Sequence, residues 1–355
     1  MPKRVPLIAV LFALTACGGG AANPTGGNGG NSSGTGGNAS GTGGASSSSS
    51  GNGGAGAGES YSVTFDAITI APGEESTKCV LKKLNNPAAI HVGQIHNELG
   101  PGSHHLIVYK TADTVEQTTP FDCQPFADLL NPAKGSPLMI TQKKDDLLEL
   151  PPGVAFAIGQ EQMVRLEMHY INTTDQPIQV TAKSTFIAMK ESDVQNEADF
   201  LFVGSPDINI APQSAFTLGP TYTPLPPELA GVKFFGFTGH EHHWGTGVTV
   251  ATSTGKMGTD TMVYDPSNWS WSEPPTVYHD PPVEVPSGGG FRFTCNWQNN
   301  GTSTVKFGES ANDEMCFFWT YYYPSKGAFV CAHTEKIPGG YDLCCPGSPF
   351  CSQIF

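Results

Sequence analysis

Arg165-Leu166-Glu167-Met168-His169-Tyr170-Ile171-Asn172 is the stretch that decides the fold class. Successive side chains of a β-strand point to opposite faces, so alternation puts Leu166 and Met168 on one face and Glu167 and His169 on the other. Segments of the same kind recur at 61–70, 105–109, 163–172, 178–189, 232–237, 246–252, 291–297 and 317–323, all rich in aromatic and β-branched residues. Pro, Gly, Asn and Asp separate them. The 29 prolines and the near absence of an apolar period of 3.6 argue against a helical bundle, and only 122–130 and 227–230 suggest short helical turns. The expectation is an all-β chain of two tandem antiparallel β-sandwich, jelly-roll-like domains. Charge and Asn interrupt the strand pattern at 190–198, which places the boundary between an N-terminal sandwich at 60–196 and a C-terminal one at 197–355.

The segments before residue 60 cannot build a core. After Lys3 and Arg4 comes an apolar run over 5–14, too short to span a bilayer but suited to a secretory signal, so residues 1–16 read as a signal peptide. Leu14-Thr15-Ala16-Cys17 resembles the lipobox of bacterial lipoproteins, in which the cysteine is acylated. Gly18 follows it rather than Asp, which by the sorting pattern of such lipoproteins implies the outer membrane. Residues 17–59 are then a lipidated cysteine and a Gly/Ser/Asn-rich linker, tethering the protein without a spanning segment. As a Gly-rich coil the linker reaches roughly 35 Å root-mean-square.

Formal charge is −14 with no basic stripe, which argues against a nucleic-acid partner. With Cys17 set aside, eight of the 9 cysteines remain: Cys79, Cys123, Cys295, Cys316, Cys331, Cys344, Cys345 and Cys351. An even number in an exported protein points to disulfides, and their connectivity is open at this stage. Cys331, Cys344, Cys345 and Cys351 lack paired C-x-x-C units, so two bridges tying down the tail are expected over a zinc site.

The histidines carry the chemistry. In Gly239-His240-Glu241-His242-His243-Trp244, two histidines sit two apart; on a strand they share a face and can pinch one ion, while Glu241 and His243 point away. The spacing differs from the helical H-E-x-x-H zinc signature, and Glu241 is a poor general base. In Gly102-Ser103-His104-His105-Leu106 the histidines are adjacent, so both reach one ion only at a bulge or strand end, which Pro101 and Gly102 can supply. His169 offers a third imidazole, its bland alternative being a half-exposed strand histidine. Met315, in Asn312-Asp313-Glu314-Met315-Cys316, is by itself a core filler. Combined with His240 and His242 it makes a His-His-Met set, and soft sulfur beside imidazole selects copper over zinc or iron. His91 and His96 read as structural or exposed, and His279 as a turn residue.

In their order along the chain, His104-His105, Met168-His169-Tyr170, His240 to His243 and Asp313-Glu314-Met315-Cys316 resemble the motifs of the copper type II, ascorbate-dependent monooxygenases, the family of peptidylglycine α-hydroxylating monooxygenase and dopamine β-monooxygenase. The resemblance spans roughly 79–324 and implies two copper ions per chain. His104, His105 and His169 would hold an electron-transfer copper; His240, His242 and Met315 would hold the oxygen-binding one. The implied activity is hydroxylation of an activated C–H bond of a small-molecule or peptide substrate, with O2 and ascorbate or another one-electron donor. Cys79 with Cys123, and Cys295 with Cys316, fall where the family places bridges. No cysteine lies between Cys123 and Cys295, so the bridge tying the start of the family's second domain to its end is missing, and the tail cysteines are the candidates to replace it.

Three positions depart from the peptide-amidating members. Thr238 stands where they carry an arginine that grips a substrate carboxylate, Phe317 replaces an asparagine and Trp319 a tyrosine. An uncharged or aromatic substrate is therefore expected. Two competing readings are a copper-binding surface lipoprotein without oxygenase activity, and an interaction module using Trp269, Trp271, Tyr278 and the aromatics near Tyr321.

Overall fold

The computed structural model describes residues 58–123, 135–308 and 310–346. The signal peptide, Cys17, the linker, Cys351 and most of the helical turn expected at 122–130 lie outside the described residues. The described chain is all-β, and no helix in it is long and apolar enough to cross a membrane.

Strands from the first half pair with one another. One sheet runs Ser60–Ile70, Ile178–Met189, Ile90–Leu99, Val154–Ile158, Asn196–Glu197, with Asp145–Glu149 also on Ile90–Leu99. A second runs Gln117–Asp122, Glu75–Lys83, Met163–Ile171, Ser103–Thr111, Gly135–Thr141. Strands from the second half form a third sheet in the order Val277–Glu284, Lys233–His240, Phe317–Tyr323, Asp199–Gly204, Phe329–Thr334, Tyr341–Cys345. A fourth runs Ser214–Pro224, Gly290–Asn299, Gly245–Ser253, Asp260–Tyr264, and a small ribbon pairs Asn209–Ile210 with Val305–Lys306. The crossing from one half to the other holds a 3-10 turn at Glu191–Asp193 and the strand Asn196–Glu197, which pairs back in parallel onto Val154–Ile158. At 227–230 the chain forms a single 3-10 turn, Pro227–Leu229.

The third sheet is covered on both faces, which accounts for its unbroken apolar runs. Phe200, Phe202, Trp319 and Tyr321 join a core cluster with Phe156, Leu138 and Leu166 of the first half. Leu201, Val203, Phe318 and Tyr322 alternate with them and pack against Phe291, Phe293 and Trp297 of the fourth sheet. Phe156 meets Tyr321 edge to face at 6.1 Å, joining the two halves through an aromatic contact. The strand Met163–Ile171 is likewise buried on both sides rather than half-exposed: Glu167, on the polar face of the alternation, is fully buried and accepts a hydrogen bond from the Tyr109 hydroxyl.

Disulfides join Cys79 to Cys123, Cys295 to Cys316 and Cys331 to Cys344, and Cys345 is also disulfide-bonded. The first ties the edge of the second sheet; the second links the fourth sheet to the residue after Met315. His279 is not in a turn: it lies on the strand Val277–Glu284, where its Nε2 meets the Val263 carbonyl at 2.8 Å.

Candidate metal centre

The His104-His105 pair sits on a bulge. The register with Met163–Ile171 shifts between Ser103 and His105, pairing Ser103 with Tyr170 and His105 with His169. Gly102 enters this shift in the left-handed region at φ 74°, which its missing Cβ permits. The irregularity turns both rings toward one point, with Nδ1 of His104 and Nδ1 of His105 3.2 Å apart. Ring centroids of His104, His105 and His169 lie 4.9 to 5.4 Å apart, and one ring nitrogen of each falls within 4.8 Å of the others.

His240 ends its strand, and His242 lies beyond it in the turn. The expectation that both ride one strand is therefore corrected, and the cause is Glu241. Its buried carboxylate accepts from the backbone N–H groups of Asn296 and Gly247 on the fourth sheet, which breaks the strand and swings His242 back toward His240. The two rings stand 5.0 Å apart at 85°. His243 is exposed. Met315 is buried, one residue after Glu314, which accepts from the N–H groups of His242 and Trp244. Two residues later Phe317 pairs with His240 across the third sheet.

The halves converge. His104 and His242 stand 6.5 Å apart, so five histidines gather where the second sheet faces the end of the third, and Met315 is buried one residue past Glu314, which holds the His242 N–H.

Hydrogen bonds assign the tautomer of three of the rings, and with it the nitrogen each would offer a metal. Asp313 O can only accept, so the Nδ1 of His242 at 3.2 Å carries the proton; Nε2, buried and without a hydrogen-bond partner, keeps its lone pair. Gln142 donates its Nε2 to the Trp271 carbonyl, which fixes the amide and turns Oε1 to Nδ1 of His240 at 3.1 Å, again leaving Nε2 as the ligand atom. His169 donates Nε2–H to Glu75 Oε1 at 3.0 Å and keeps Nδ1.

Electrostatics agree. Burial, reinforced by His169 and His242, drops His104 to about 3, and burial, then His169, drops His242 to about 4. Burial first and neighbouring histidines second hold His105 and His240 well below the ordinary imidazole value. These rings are neutral at neutral pH, as metal ligands must be. The hydrogen bond from His169 lowers Glu75 to about 2 against the opposing effect of burial. Burial raises Glu314 to about 7. The neutral donors, the buried unpartnered Nε2 of His242 and the thioether of Met315 fit a copper ion.

Two contributors, Glu75 and Gln142, had no signal in the sequence, while Asp313 stood there only within the methionine motif and Trp271 only as an aromatic of the interaction-module reading. Trp271 lies over His104 at 5.6 Å and meets His243 at 5.5 Å, covering the histidines from the segment that joins the fourth sheet to the third. Trp269 donates Nε1–H to Gly239 O on the same side. Thr238 is buried, its hydroxyl 2.8 Å from that of Thr276 in the same covering segment. Trp319 packs 6.2 Å from His240 and Phe317 stacks on Phe202 at 4.7 Å. Tyr321 is buried in the core, leaving the interaction-module reading without that aromatic.

Among curated protein sequences none matches the chain. Solved structures with a similar course include the major capsid protein P2 of bacteriophage PM2, at 8% identity, covering 76% of this chain and 100% of that one with a TM-score of 0.33. Another is PNGase F, a glycosylasparaginase from Flavobacterium meningosepticum, at 11% identity, 79% and 99% coverage and a TM-score of 0.35. Residues 197–338, which carry His240, His242 and Met315, match the C-terminal domain of the copper type II ascorbate-dependent monooxygenases.

Proposed function

We propose that this protein is a copper-dependent monooxygenase that hydroxylates an activated C–H bond, using O2 and an external one-electron reductant such as ascorbate. The observation that carries this reading is the convergence of His104, His105 and His169 with His240 and His242, four of these five imidazoles being held neutral by burial. When bound, copper supplies one-electron redox chemistry, and two such ions with two electrons from substrate account for the four that reduce O2 to an alcohol oxygen and water.

The chain's own part is positioning and exclusion of water. Gln142, Glu75 and the Asp313 carbonyl fix the tautomers, so the ligand nitrogens need no reorganisation on binding. Trp271 covers the histidines, and this low-dielectric cover limits loss of reactive oxygen species to bulk water. Thr238, Phe317 and Trp319 supply no charge near His240, which favours an uncharged or aromatic substrate over one presenting a carboxylate.

In the same reading, residues 60–196 and 197–355 are the electron-transfer and oxygen-activating domains. Export, acylation of Cys17 and an outer-membrane tether through residues 17–59 would place the enzyme on a leash; the lipobox-like Leu14 to Cys17 supports this.

The test is metal analysis of the full chain, followed by oxygen uptake with ascorbate and candidate C–H donors. Two coppers per chain and substrate-dependent uptake are expected. Two coppers with no uptake above background, across a broad substrate panel, would leave a copper-binding lipoprotein; no bound copper would overturn the reading.

A further inference from the structure

The two ligand sets come from different halves of the chain, yet a continuous path of hydrogen bonds joins a ring of one to a ring of the other. Glu75 stands at its centre. Its Oε1 accepts from His169 Nε2 at 3.0 Å, across 94 residues of sequence. The same oxygen accepts from the backbone N–H of Ala311 at 2.9 Å, across 236 residues, and the Ser310 hydroxyl lies 3.4 Å from Oε2. Ser310 and Ala311 open the turn that carries Met315: Asp313 N donates to Ser310 O at 2.9 Å, and Asp313 O accepts from Nδ1 of His242 at 3.2 Å.

From these contacts we infer that Glu75 is a positioning residue that couples the two metal sets, so that copper at one set changes the affinity of the other. The inference rests on the proposed function only for the identity of the metal. Its physical basis is that Glu75 cannot shift to suit His169 without moving Ala311, and the turn beginning there places both the Asp313 carbonyl on His242 and the Met315 thioether. Binding linkage is reciprocal, so a change at Met315 and His242 is transmitted back to His169 by the same factor. Glu75 makes no hydrogen bond to His240, His242 or Met315 in this path, but its charge acts on His242 through space, so recovery of the sulfur signal in the charge-free Glu75→Gln is what separates the hydrogen-bonded path from that direct effect.

The experiment is a chelator-competed Cu(I) titration of the full chain, with X-ray absorption at the copper edge reading the copper–sulfur signal of Met315. In Glu75→Ala we expect both binding steps to weaken, by about 10- to 100-fold, and the copper–sulfur signal to fall. Glu75→Gln keeps an oxygen that accepts from His169 and Ala311 but removes the charge; the sulfur signal should return while the His104, His105 and His169 set stays weaker than in the parent. Should Glu75→Ala fail to fold, Ala311→Pro removes the N–H that Glu75 holds, and coupling predicts weaker binding at the His104, His105 and His169 set, which Ala311 does not touch. Weakening confined to that three-histidine set in Glu75→Ala, with the sulfur signal intact, would overturn the coupling and leave the function standing. A parent chain that takes no copper would overturn both.

Discussion

Gln142 and His240 meet across the two halves of the chain: the amide oxygen, one residue past the strand Gly135–Thr141, lies 3.1 Å from Nδ1 at the end of the strand Lys233–His240. The donor that fixes the amide is directional, since the Trp271 carbonyl takes the Nε2 hydrogen at 3.1 Å. Gln142→Leu should therefore weaken copper at the His240, His242 and Met315 set by about 10- to 100-fold, because the ring loses the partner that sets its tautomer. Gln142→Glu retains an acceptor and should restore most of the affinity. Competition with a chromophoric chelator measures both, and equal affinity in Gln142→Leu and the parent would remove Gln142 from the site.

Met315→Ala deletes the one sulfur donor of its set. One copper should remain on His104, His105 and His169 while the copper–sulfur signal and substrate-dependent oxygen uptake disappear. Undiminished uptake would sink the assignment of the oxygen site.

The metal-free protein should be most stable near pH 6.5. His104 and His242 have folded values of about 3 and about 4, below the ordinary 6.5, so the unfolded chain binds more protons and stability falls as pH drops from about 6.5 toward those values. Glu75, lowered to about 2 from 4.5, adds a loss as pH falls through that interval. Glu314 and Glu241 act with opposite sign: burial raises both, the folded state binds more protons, and stability declines as pH rises from 4.5 to about 7 for Glu314 and upward from 4.5 for Glu241. Below 6.5 the four depressed histidines outnumber these two carboxyls, and Asp199 and Asp313, also raised by burial, oppose them from the aspartate range near 3.8 upward. Thermal unfolding in chelator from pH 4 to 9 checks the maximum; a midpoint that keeps rising on acidification below pH 6 would contradict it.

Trp271 sits over His104, and Trp271→Ala should speed removal of copper by an external chelator while leaving two coppers per chain. Stopped-flow absorbance follows the release, and an unchanged rate would mean that the cover does not control access.

The contact of Phe156 with Tyr321 fastens the first half of the chain to the third sheet. Both side chains are buried to 2% exposure or less, so Phe156→Ala should cost about 3–5 kcal/mol in denaturant unfolding, transfer and cavity effects together. A cost under about 1 kcal/mol would show that the halves hold together by other contacts.

Local sequence was a good guide to the strands and a poor one to what faces them. The alternation of Leu166 and Met168 with Glu167 and His169 survives, but Glu167 faces a second buried layer with the Tyr109 hydroxyl, which the alternation cannot distinguish from solvent. The bulge at His104 was legible because Gly102 and two adjacent histidines announce it, whereas the turn at His242 was not, because the side chain that breaks the strand, Glu241, is anchored 55 residues away at Asn296. His279 looked like a turn beside Asp280 and Pro281 and is held in a strand by the Val263 carbonyl.

The sequence by itself determined the all-β character and the donor types, since these depend on period and composition; the resemblance to the copper monooxygenases, not any short spacing, is what grouped His169 with His104 and His105 and Met315 with His240 and His242. The tertiary structure alone decided that the sets converge, that Glu75 joins His169 to Ala311, that Gln142 orients His240 and that Trp271 closes over His104. Those contacts bridge about a hundred residues or more, and they exist only because the third sheet is buried between the fourth sheet and the first half of the chain.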